Sequence, residues 1–139
     1  TRAAVEEGIV PGGGVGLVRS LEALKSLELV GDERTGLAIL EKAMEEPIRL
    51  IAENSGHEGS VVLNEVKQGT GDWGFDADKE EYCNLMERGI IDPAKVTRAA
   101  VENGASVATM MLTTESMVTD LPAPEGQGMP PGGMPPMDY

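Results

Sequence analysis

The apolar residues of this chain recur mainly at intervals of three and four positions, the spacing that places side chains on one face of an α-helix. The predicted helices cover residues 1–7, 15–29, 34–54, 60–67 and 84–88. Ser60 is a favoured N-cap residue for the fourth of them. Pro47 lies within the third, and because proline removes a backbone hydrogen bond, we expect a kink or a break near Glu45.

The longest periodic stretch follows Asp92 and Pro93. Asp is a favoured N-cap residue and Pro fits the first helical position, so a helix is predicted to begin there. Its apolar positions are Val96, Ala100, Val107, Met111 and Val118. From Pro93 to Val118 the helix would extend about 39 Å at about 1.5 Å per residue. We therefore expect a core helix against which the other elements pack, with the Asp92 carboxylate at its entrance.

Residues 71–82 hold most of the aromatic side chains and do not follow helical spacing. They predict two short strands, over about 73–75 and 79–81, joined by a tight hairpin. The alternation over residues 117–121 predicts an edge strand. Residues 122–139 are rich in Pro, Gly and Met, and we predict that they form a disordered or extended tail. The predicted fold class is therefore mainly α, with a small β-hairpin, an edge strand and a flexible C-terminal tail.

The amino-acid composition and net charge limit what the core can consist of and which partners the chain can bind. The 139 residues include one Trp, one Phe and two Tyr, so the apolar interior must consist of Leu, Ile, Val, Ala and Met. The net charge of −13 argues against nucleic acid or an acidic membrane surface as a partner, because binding to these relies on basic patches. No apolar run approaches the roughly 18 residues of a membrane span. The single cysteine, Cys83, cannot form an internal disulfide, which suits a reducing compartment.

Two features are candidates for ligand contact. Residues 12–14, all glycine, open a predicted helix, and they form either a hinge between packed units or a turn whose backbone approaches a ligand. They lack the Lys and the hydroxyl residue of a phosphate-binding Walker loop. Asp92 is either a helix cap or a ligand contact. Other acidic residues fit a solvated surface, among them Asp78, Glu80 and Glu81.

The sequence shows no self-sufficient active site. Cys83 and Ser116 have no partner of the kind that nucleophilic catalysis requires. His57 lies in a predicted turn, and because no Cys or His lies at ligand spacing, a solvated residue is favoured over a metal ligand. The chain lacks an initiator Met and opens as if within a helix, so we expect it to be a piece of a larger protein.

Three long motifs carry a resemblance to a known family. They are TRAAVEEGIVPGGGVGL at residues 1–17, EEYCNLMERGIIDPAKVTRAA at 80–100 and TTESMVTDLP at 113–122. Together they resemble the C-terminal quarter of the group I chaperonins, the GroEL family, nearly colinearly from Thr1 to Pro122. The Met-rich tail is similar in kind to the Gly-Met tail of that family, with prolines in place of much of the glycine repetition.

The resemblance implies a division of the chain. Residues 1–8 would end the last helix of the intermediate domain, residues 9–121 would form the C-terminal part of the helical equatorial, ATP-binding domain, and residues 122–139 the flexible tail. The parent would be an ATP-dependent chaperonin that encapsulates unfolded proteins, built from identical subunits in a double heptameric ring. A GroES-type co-chaperonin and unfolded clients would bind through domains that this chain does not contain. The family occurs in the bacterial cytoplasm and in plastid or mitochondrial interiors.

The resemblance also assigns nucleotide contacts. The backbone of Gly13 would approach the nucleotide, Asp76, Ala77 and Asp78 would line the side of the base, and Asp92 would accept hydrogen bonds from the ribose hydroxyls. Many relatives carry Asn at the position of Asp76, so this contact is expected to differ. The cofactor would be ATP or ADP with Mg²⁺, whose phosphate and metal ligands, like the catalytic aspartate, are expected upstream of this chain. We therefore expect an ATPase as the full-length subunit and no hydrolysis by the isolated chain.

An alternative stays open. The same residues could serve as hinge, cap and subunit interface in a non-enzymatic helical assembly module without a nucleotide site of its own. The two hypotheses differ in whether Gly13, Asp76 and Asp92 must converge in space. The resemblance further implies that the hairpin and the edge strand belong to sheets completed partly by other segments, including some from the neighbouring subunit. Without these partners the sheet edges would be exposed and the long helix would show an uncovered apolar face.

Overall fold

Helices account for most of the residues that the computed structural model describes, residues 1–120. The helices are α1 (Arg2–Glu7), α2 (Val15–Lys25), α3 (Asp32–Asn54), α4 (Gly59–Gln68), α5 (Leu85–Arg88) and α6 (Ala94–Thr113). The strands are β1 (Ile9–Pro11), β2 (Trp73–Asp76), β3 (Glu81–Asn84) and β4 (Ile91–Pro93). The mainly helical class with small sheets is thus confirmed. The predicted tail, residues 122–139, lies outside the described residues. Within residues 1–120, no helix is both long enough and apolar enough to cross a bilayer.

One core lies among α2, α3, α4, α5 and the β2–β3 hairpin, which we call the helical body (residues 15–88). Helices α2, α3 and α4 contribute positions three or four apart, because that spacing presents one face to the neighbouring elements, and α5 contributes Leu85. The buried apolar residues are Val15, Val18, Leu21, Met44, Ile48, Ala52, Val62, Leu63, Val66, Phe75 and Leu85. The remaining elements, α1, β1, β4 and α6, form what we call the arm (residues 1–11 and 91–113).

The arm contains an antiparallel ribbon that the sequence did not reveal. β1 pairs with β4, with Val10 opposite Asp92 and Pro11 opposite Ile91. The prediction of Asp92 as the N-cap was therefore wrong: Asp92 lies in β4, Pro93 caps the helix with φ −67° and ψ 124°, and α6 begins at Ala94. Pairing with a segment far away in the sequence overrides the local capping preference, and local patterns do not report such pairing.

The prediction of a core helix extending to Val118 was also wrong. α6 ends at Thr113, and none of its residues, all within the described chain, is buried. An apolar groove of about 550 Å³ separates α6 from α3, lined on the α6 side by small residues such as Ala105 and Ala108. Leu112, at the end of this groove, is 83% exposed. The expectation of an uncovered apolar face on this helix agrees with the structure.

The hairpin exists, but its second strand begins later than predicted. β2 and β3 pair with Phe75 opposite Tyr82 and Asp76 opposite Glu81, so residues 79 and 80 belong to the turn. The Asp76 carboxylate accepts hydrogen bonds from the turn and makes it longer than local signals indicate. Residues 117–120 form no strand, so the predicted edge strand is absent from this described part of the chain. The two sheets among residues 1–120 consist of β1 with β4 and of β2 with β3.

Three helices of the body differ from the predictions in ways that have a physical reason. α3 continues through Pro47 as one helix, so the break does not occur, and the kink stays a prediction. Met44 and Ile48, on either side of Pro47, are both buried. α4 begins at Gly59, with Ser60 inside the helix rather than at its cap. A side chain at position 59 would lie 2.9 Å from the Arg49 carbonyl oxygen, so glycine permits this close approach. α2 ends at Lys25, four residues before the predicted end.

Candidate nucleotide site

The glycine turn (residues 12–14) lies where the arm joins the helical body, and it is tightly packed. The Gly12 amide donates a hydrogen bond to the Ile90 carbonyl oxygen at 3.0 Å, and a Cβ at Gly12 would lie 3.2 Å from the backbone of Ile90. At Gly14, whose φ is +80°, a Cβ would lie 2.8 Å from the backbone nitrogen of Ile48. Glycine is required here by close backbone approach, which is not what a freely moving hinge would need.

Gly13 connects this turn to the hairpin. Its φ is +61°, and a Cβ there would meet the Phe75 carbonyl oxygen at 3.8 Å and the Leu85 side chain at 3.9 Å. Because Asp76 follows Phe75 directly, the glycine turn borders the strand that leads into the predicted base-side residues. Through Gly12 it also borders the segment that leads into Asp92. The turn therefore contacts both of the other segments to which a nucleotide contact is assigned.

Asp92 is exposed and lies opposite Val10 in the ribbon. It lines a cleft of about 280 Å³ between the ribbon, α3 and the first turns of α6. The other side chains of this cleft are mainly apolar, among them Pro11, Pro47, Ile51, Pro93 and Val96. A carboxylate beside an apolar cleft can accept hydrogen bonds from hydroxyl groups while the cleft covers an apolar or planar group.

Asp76 is 4% exposed, and its carboxylate is already engaged within the hairpin. One oxygen accepts hydrogen bonds from the amides of Asp78 at 3.0 Å and Lys79 at 3.2 Å. The other oxygen lies 4.0 Å from the guanidinium of Arg88. The Asp76 side chain thus shapes the turn. Ala77 is half-buried and packs against the core, whereas Asp78 is exposed.

Charged and aromatic contacts hold the hairpin in place. A hydrogen bond from Arg88 to Glu81 raises the pKa of the Arg88 guanidinium, with smaller contributions from nearby acidic groups. The Tyr82 ring stacks on Trp73 with centroids 5.0 Å apart, and burial followed by the charge of Glu65 raises the pKa of the Tyr82 hydroxyl. The hairpin is therefore a supported element, since an isolated two-stranded hairpin is only marginally stable in water.

Sequence analysis missed Arg19, which joins the hairpin to the body. Its guanidinium donates hydrogen bonds to three backbone carbonyl oxygens, those of Val66 at 2.8 Å, Gly71 at 2.9 Å and Trp73 at 2.9 Å. Its position in the sequence could have indicated this role, because Arg19 lies four residues after Val15 and next to Val18, on the buried face of α2. A charged residue at such a position requires hydrogen-bond partners.

Two described residues have the chemistry that contact with a nucleoside would require. Gly13 leaves space beside the turn, and Asp92 offers a carboxylate to hydroxyl groups, which suits a nucleoside. Among residues 1–120, no group of three or more His, Cys, Asp or Glu side chains is placed to hold a metal ion.

The fold matches a fragment of a chaperonin equatorial domain. Residues 1–122 match the sequence model of the TCP-1/cpn60 chaperonin family, and because this match spans most of the chain, the protein belongs to that family. Members of the family bind ATP, are generally ATPases and assemble into rings.

Two solved structures illustrate the similarity. A group III chaperonin in the open state shares 31% identity over 84% of this chain, with a TM-score of 0.72. The open-state monomer of a group II chaperonin from Methanococcoides burtonii shares 23% identity over 76% of this chain, with a TM-score of 0.67, which shows the common fold. The chain covers only 25% and 28% of the lengths of these two structures. They belong to groups II and III, so the structural matches do not establish the resemblance to group I.

Proposed function

We propose that this chain is part of an ATP-dependent chaperonin subunit and supplies the base and ribose side of its nucleotide pocket. One observation carries the proposal: the glycine turn contacts both the segment leading to Asp92 and the strand ending in Asp76. Two segments that are distant in the sequence thus border the glycine turn, one through Gly13 and the other through Gly12. A ligand against the backbone of Gly13 would lie near both of the other segments, as a nucleotide site requires.

Each residue has a role that its surroundings suit. The backbone at Gly13 would approach the nucleotide without a side chain in the way. Asp92 would accept hydrogen bonds from the ribose hydroxyls, and Ala77 and Asp78 would border the base. Asp76 would act indirectly by holding the turn that presents Ala77 and Asp78, because its own carboxylate is engaged. The nucleotide and its Mg²⁺ would supply the phosphoryl chemistry, with ligands from outside this chain.

The finer assignment is part of the proposal. We assign the parent protein to the group I chaperonins on its three long sequence motifs, with identical subunits in a double heptameric ring. A GroES-type co-chaperonin and unfolded proteins would bind through other domains of that parent. Its location would be the bacterial cytoplasm or the interior of a plastid or mitochondrion. The division of the chain near Gly8 into intermediate and equatorial parts belongs to the same proposal.

A second candidate is the non-enzymatic assembly module. Two observations favour it for the isolated 139 residues: the engaged carboxylate of Asp76 and the uncovered apolar side of α6. In this case the contacts of the glycine turn would serve packing alone, and the exposed face of α6 would be a binding surface for other protein segments.

Calorimetric titration of magnesium-ATP into the chain separates the two candidates. We expect saturable binding that Asp92→Ala weakens by about 1 to 3 kcal/mol, the scale for removing a partner of hydrogen-bonded groups. Asp120→Ala is the matched control, because Asp120 is also exposed and lies in no helix or strand. Equal binding by the Asp92 variant would contradict the ribose contact. No binding by any variant with native circular dichroism would favour the assembly module.

A further inference from the structure

His57, the one histidine of the chain, contacts the hairpin although sequence analysis favoured a solvated turn residue. It lies between α3 and α4, and its ring meets the ring of Phe75 edge-on, with centroids 5.0 Å apart and an interplanar angle of 62°. Its side chain is 35% exposed, so about two thirds of it is covered. The turn after α3 thus touches the strand that leads to Asp76.

Both nitrogens of the imidazole have polar neighbours. Nδ1 lies 3.2 Å from the backbone oxygen of Ser55, within its own turn. Nε2 lies 4.0 Å from a carboxylate oxygen of Glu80, in the turn of the hairpin. The His57 amide donates to the Ala52 carbonyl oxygen at 2.9 Å, which fixes the backbone of this turn to the end of α3. The ring therefore has a fixed base and reaches across to the hairpin.

The hairpin turn is itself in an unusual conformation. Glu80 has a φ of +55°, and it is the one non-glycine residue among residues 1–120 with a positive φ. Left-handed backbone is unfavourable for a residue with a Cβ, so neighbouring contacts must maintain it. One such contact is the Asp76 carboxylate, which accepts hydrogen bonds from the amides of Asp78 and Lys79. The Glu80 side chain in addition lies 4.0 Å from the His57 ring.

Phe75 lies between Gly13 and His57. Its carbonyl oxygen borders Gly13, its ring contacts His57, and it is 5% exposed. A change at His57 would therefore free one side of Phe75, and the adjacent residues 76–80 would move with it. His57 does not need to touch a ligand to affect the position of Ala77 and Asp78.

We propose that His57 is a positioning residue that holds the hairpin turn (residues 76–80) against the glycine turn. Its ring packs on Phe75 and its Nε2 approaches Glu80, so that both ends of the turn are held from the α3–α4 side. The effect on nucleotide affinity rests on the function proposed above, whereas the effect on the hairpin does not. The two effects are therefore measured separately.

The first measurement is amide hydrogen exchange at Asp78 and Lys79 in the complete chain without nucleotide. We expect His57→Ala to speed exchange at these amides by about 2- to 12-fold. This is the change in rate that corresponds to losing the interaction free energy of one aromatic pair. His57→Phe keeps a ring against Phe75 and is expected to restore part of the protection, and Glu80→Gln to lose part of it. Glu58→Ala is the control, since Glu58 is exposed in the same turn and contacts Ser60.

A spectroscopic signature separates positioning from general stability. Because the chain has one histidine, the ring protons of His57 give assignable resonances, and the nearby Phe75 ring shifts them. We expect Phe75→Leu and Glu80→Gln to move these resonances and Glu58→Ala to leave them in place. Unchanged exchange at Asp78 and Lys79 in His57→Ala would overturn the proposal. An equal acceleration at every amide, including those of α4, would also overturn it.

Magnesium-ATP titration of the same variants tests the dependence on the proposed function. We expect His57→Ala to weaken binding by about 2- to 12-fold, the same factor as in the exchange measurement. Faster exchange at the hairpin with no nucleotide binding by any variant would support the positioning role and contradict the nucleotide site. Binding by the unsubstituted chain with unchanged exchange in His57→Ala would support the site and contradict the positioning role.

Discussion

The helical body and the arm each contain one long helix, and the two helices are packed very differently. α3 has 23 residues and buries Met44, Ile48 and Ala52 against its neighbours. α6 has 20 residues and buries none within the described chain. Both helices have apolar residues at helical spacing. The local pattern therefore predicts each helix and its apolar side as well for α3 as for α6. Whether that side is covered depends on which elements the rest of the fold brings beside it.

The forces that hold the two regions differ in the same way. The helical body has a buried apolar core and the three hydrogen bonds of Arg19. The arm has the short β1–β4 ribbon and exposed ion pairs between α1 and α6, in which Lys95 pairs with Glu6 and Arg98 with Glu7. Exposed pairs contribute little and are screened by salt, whereas a core is insensitive to salt. We therefore expect the body to determine global stability and the arm to open locally.

The largest difference is expected for matched truncations of leucine. Leu63 is 1% exposed in the body, and Leu112 is 83% exposed in the arm. Leu63→Ala should lower the free energy of unfolding by about 2 to 5 kcal/mol because it leaves a cavity. Leu112→Ala should change it by no more than about 0.5 kcal/mol. Urea denaturation followed by circular dichroism measures both, and a loss of similar size in the two variants would contradict the comparison.

The next difference concerns two arginines. Arg19→Met should lower the free energy of unfolding by about 1.5 to 3 kcal/mol, because three backbone carbonyl oxygens lose a charged donor. Arg98→Met should leave global unfolding unchanged within error, since its partners Glu7 and Glu102 are at the surface. Urea denaturation of both variants at low and high salt checks this. A loss of unfolding free energy in Arg19→Met that depends on salt would contradict partly buried hydrogen bonds of Arg19.

Two glycines should respond to alanine with opposite signs. A Cβ at Gly74 in β2 would lie 2.6 Å from the Val15 side chain and 2.7 Å from that of Leu85. Gly74→Ala should therefore cost about 1 to 3 kcal/mol through overpacking. Nothing lies within 4 Å of a Cβ at Gly104 in α6, so Gly104→Ala should stabilise the helix by about 0.5 to 1 kcal/mol. Thermal unfolding tests the sign for Gly74→Ala, and amide exchange in α6 tests it for Gly104→Ala. Faster exchange in α6 of the Gly104 variant would show that α6 is more tightly packed than the open space at Gly104 indicates.

The smallest effect is a pH dependence confined to the arm. The hydrogen bond from Arg98 lowers the pKa of the Glu7 carboxyl below its ordinary value of 4.5. A carboxyl with a lowered pKa in the folded state stabilises that state above its unfolded pKa, and this contribution is lost as pH falls through the folded pKa. The protection of the α1 amides, measured as exchange relative to the intrinsic rate at each pH, should therefore fall below pH 4.5 in the unsubstituted chain.

The control for this pH dependence is Glu7→Gln, which cannot ionise at that position. In this variant, exchange in α1 should already be faster at neutral pH and should change less on acidification. High salt should reduce the difference between the two proteins, because Glu7 and Arg98 are exposed to solvent. A pH dependence of equal size in Glu7→Gln would exclude Glu7 as its origin.

The sequence was sufficient where short-range patterns decide the structure. Helices α2, α3 and α4 were predicted because their buried residues recur at helical spacing, and the hairpin because residues 71–82 break that spacing. The β1–β4 ribbon could not be predicted, since its two strands are short and meet across the whole body. The exposure of α6 also depends on tertiary partners.

For the candidate site too, the sequence was informative only in part, because the positions of its residues depend on tertiary contacts. Gly13, Asp76, Ala77, Asp78 and Asp92 were assigned through the resemblance to a family and not through their own pattern, and their nucleotide contacts stay predictions. Their relative positions depend on tertiary contacts: Gly13 borders Phe75, and Gly12 binds Ile90. The engagement of the Asp76 carboxylate and the contact of His57 with Phe75 have no local signal, because each depends on how a turn folds back on its neighbours.

The β1–β4 ribbon has a consequence for the order in which the chain folds. Its three residue pairs close a loop of about 80 residues, and closing so long a loop in an unfolded chain has a large entropic cost for so few hydrogen bonds. The cost falls once the intervening helices have collapsed, because the two strands then emerge from the same side of a compact unit. The ribbon should therefore form after the helical body, and the residues around Asp92 should reach their places late in folding.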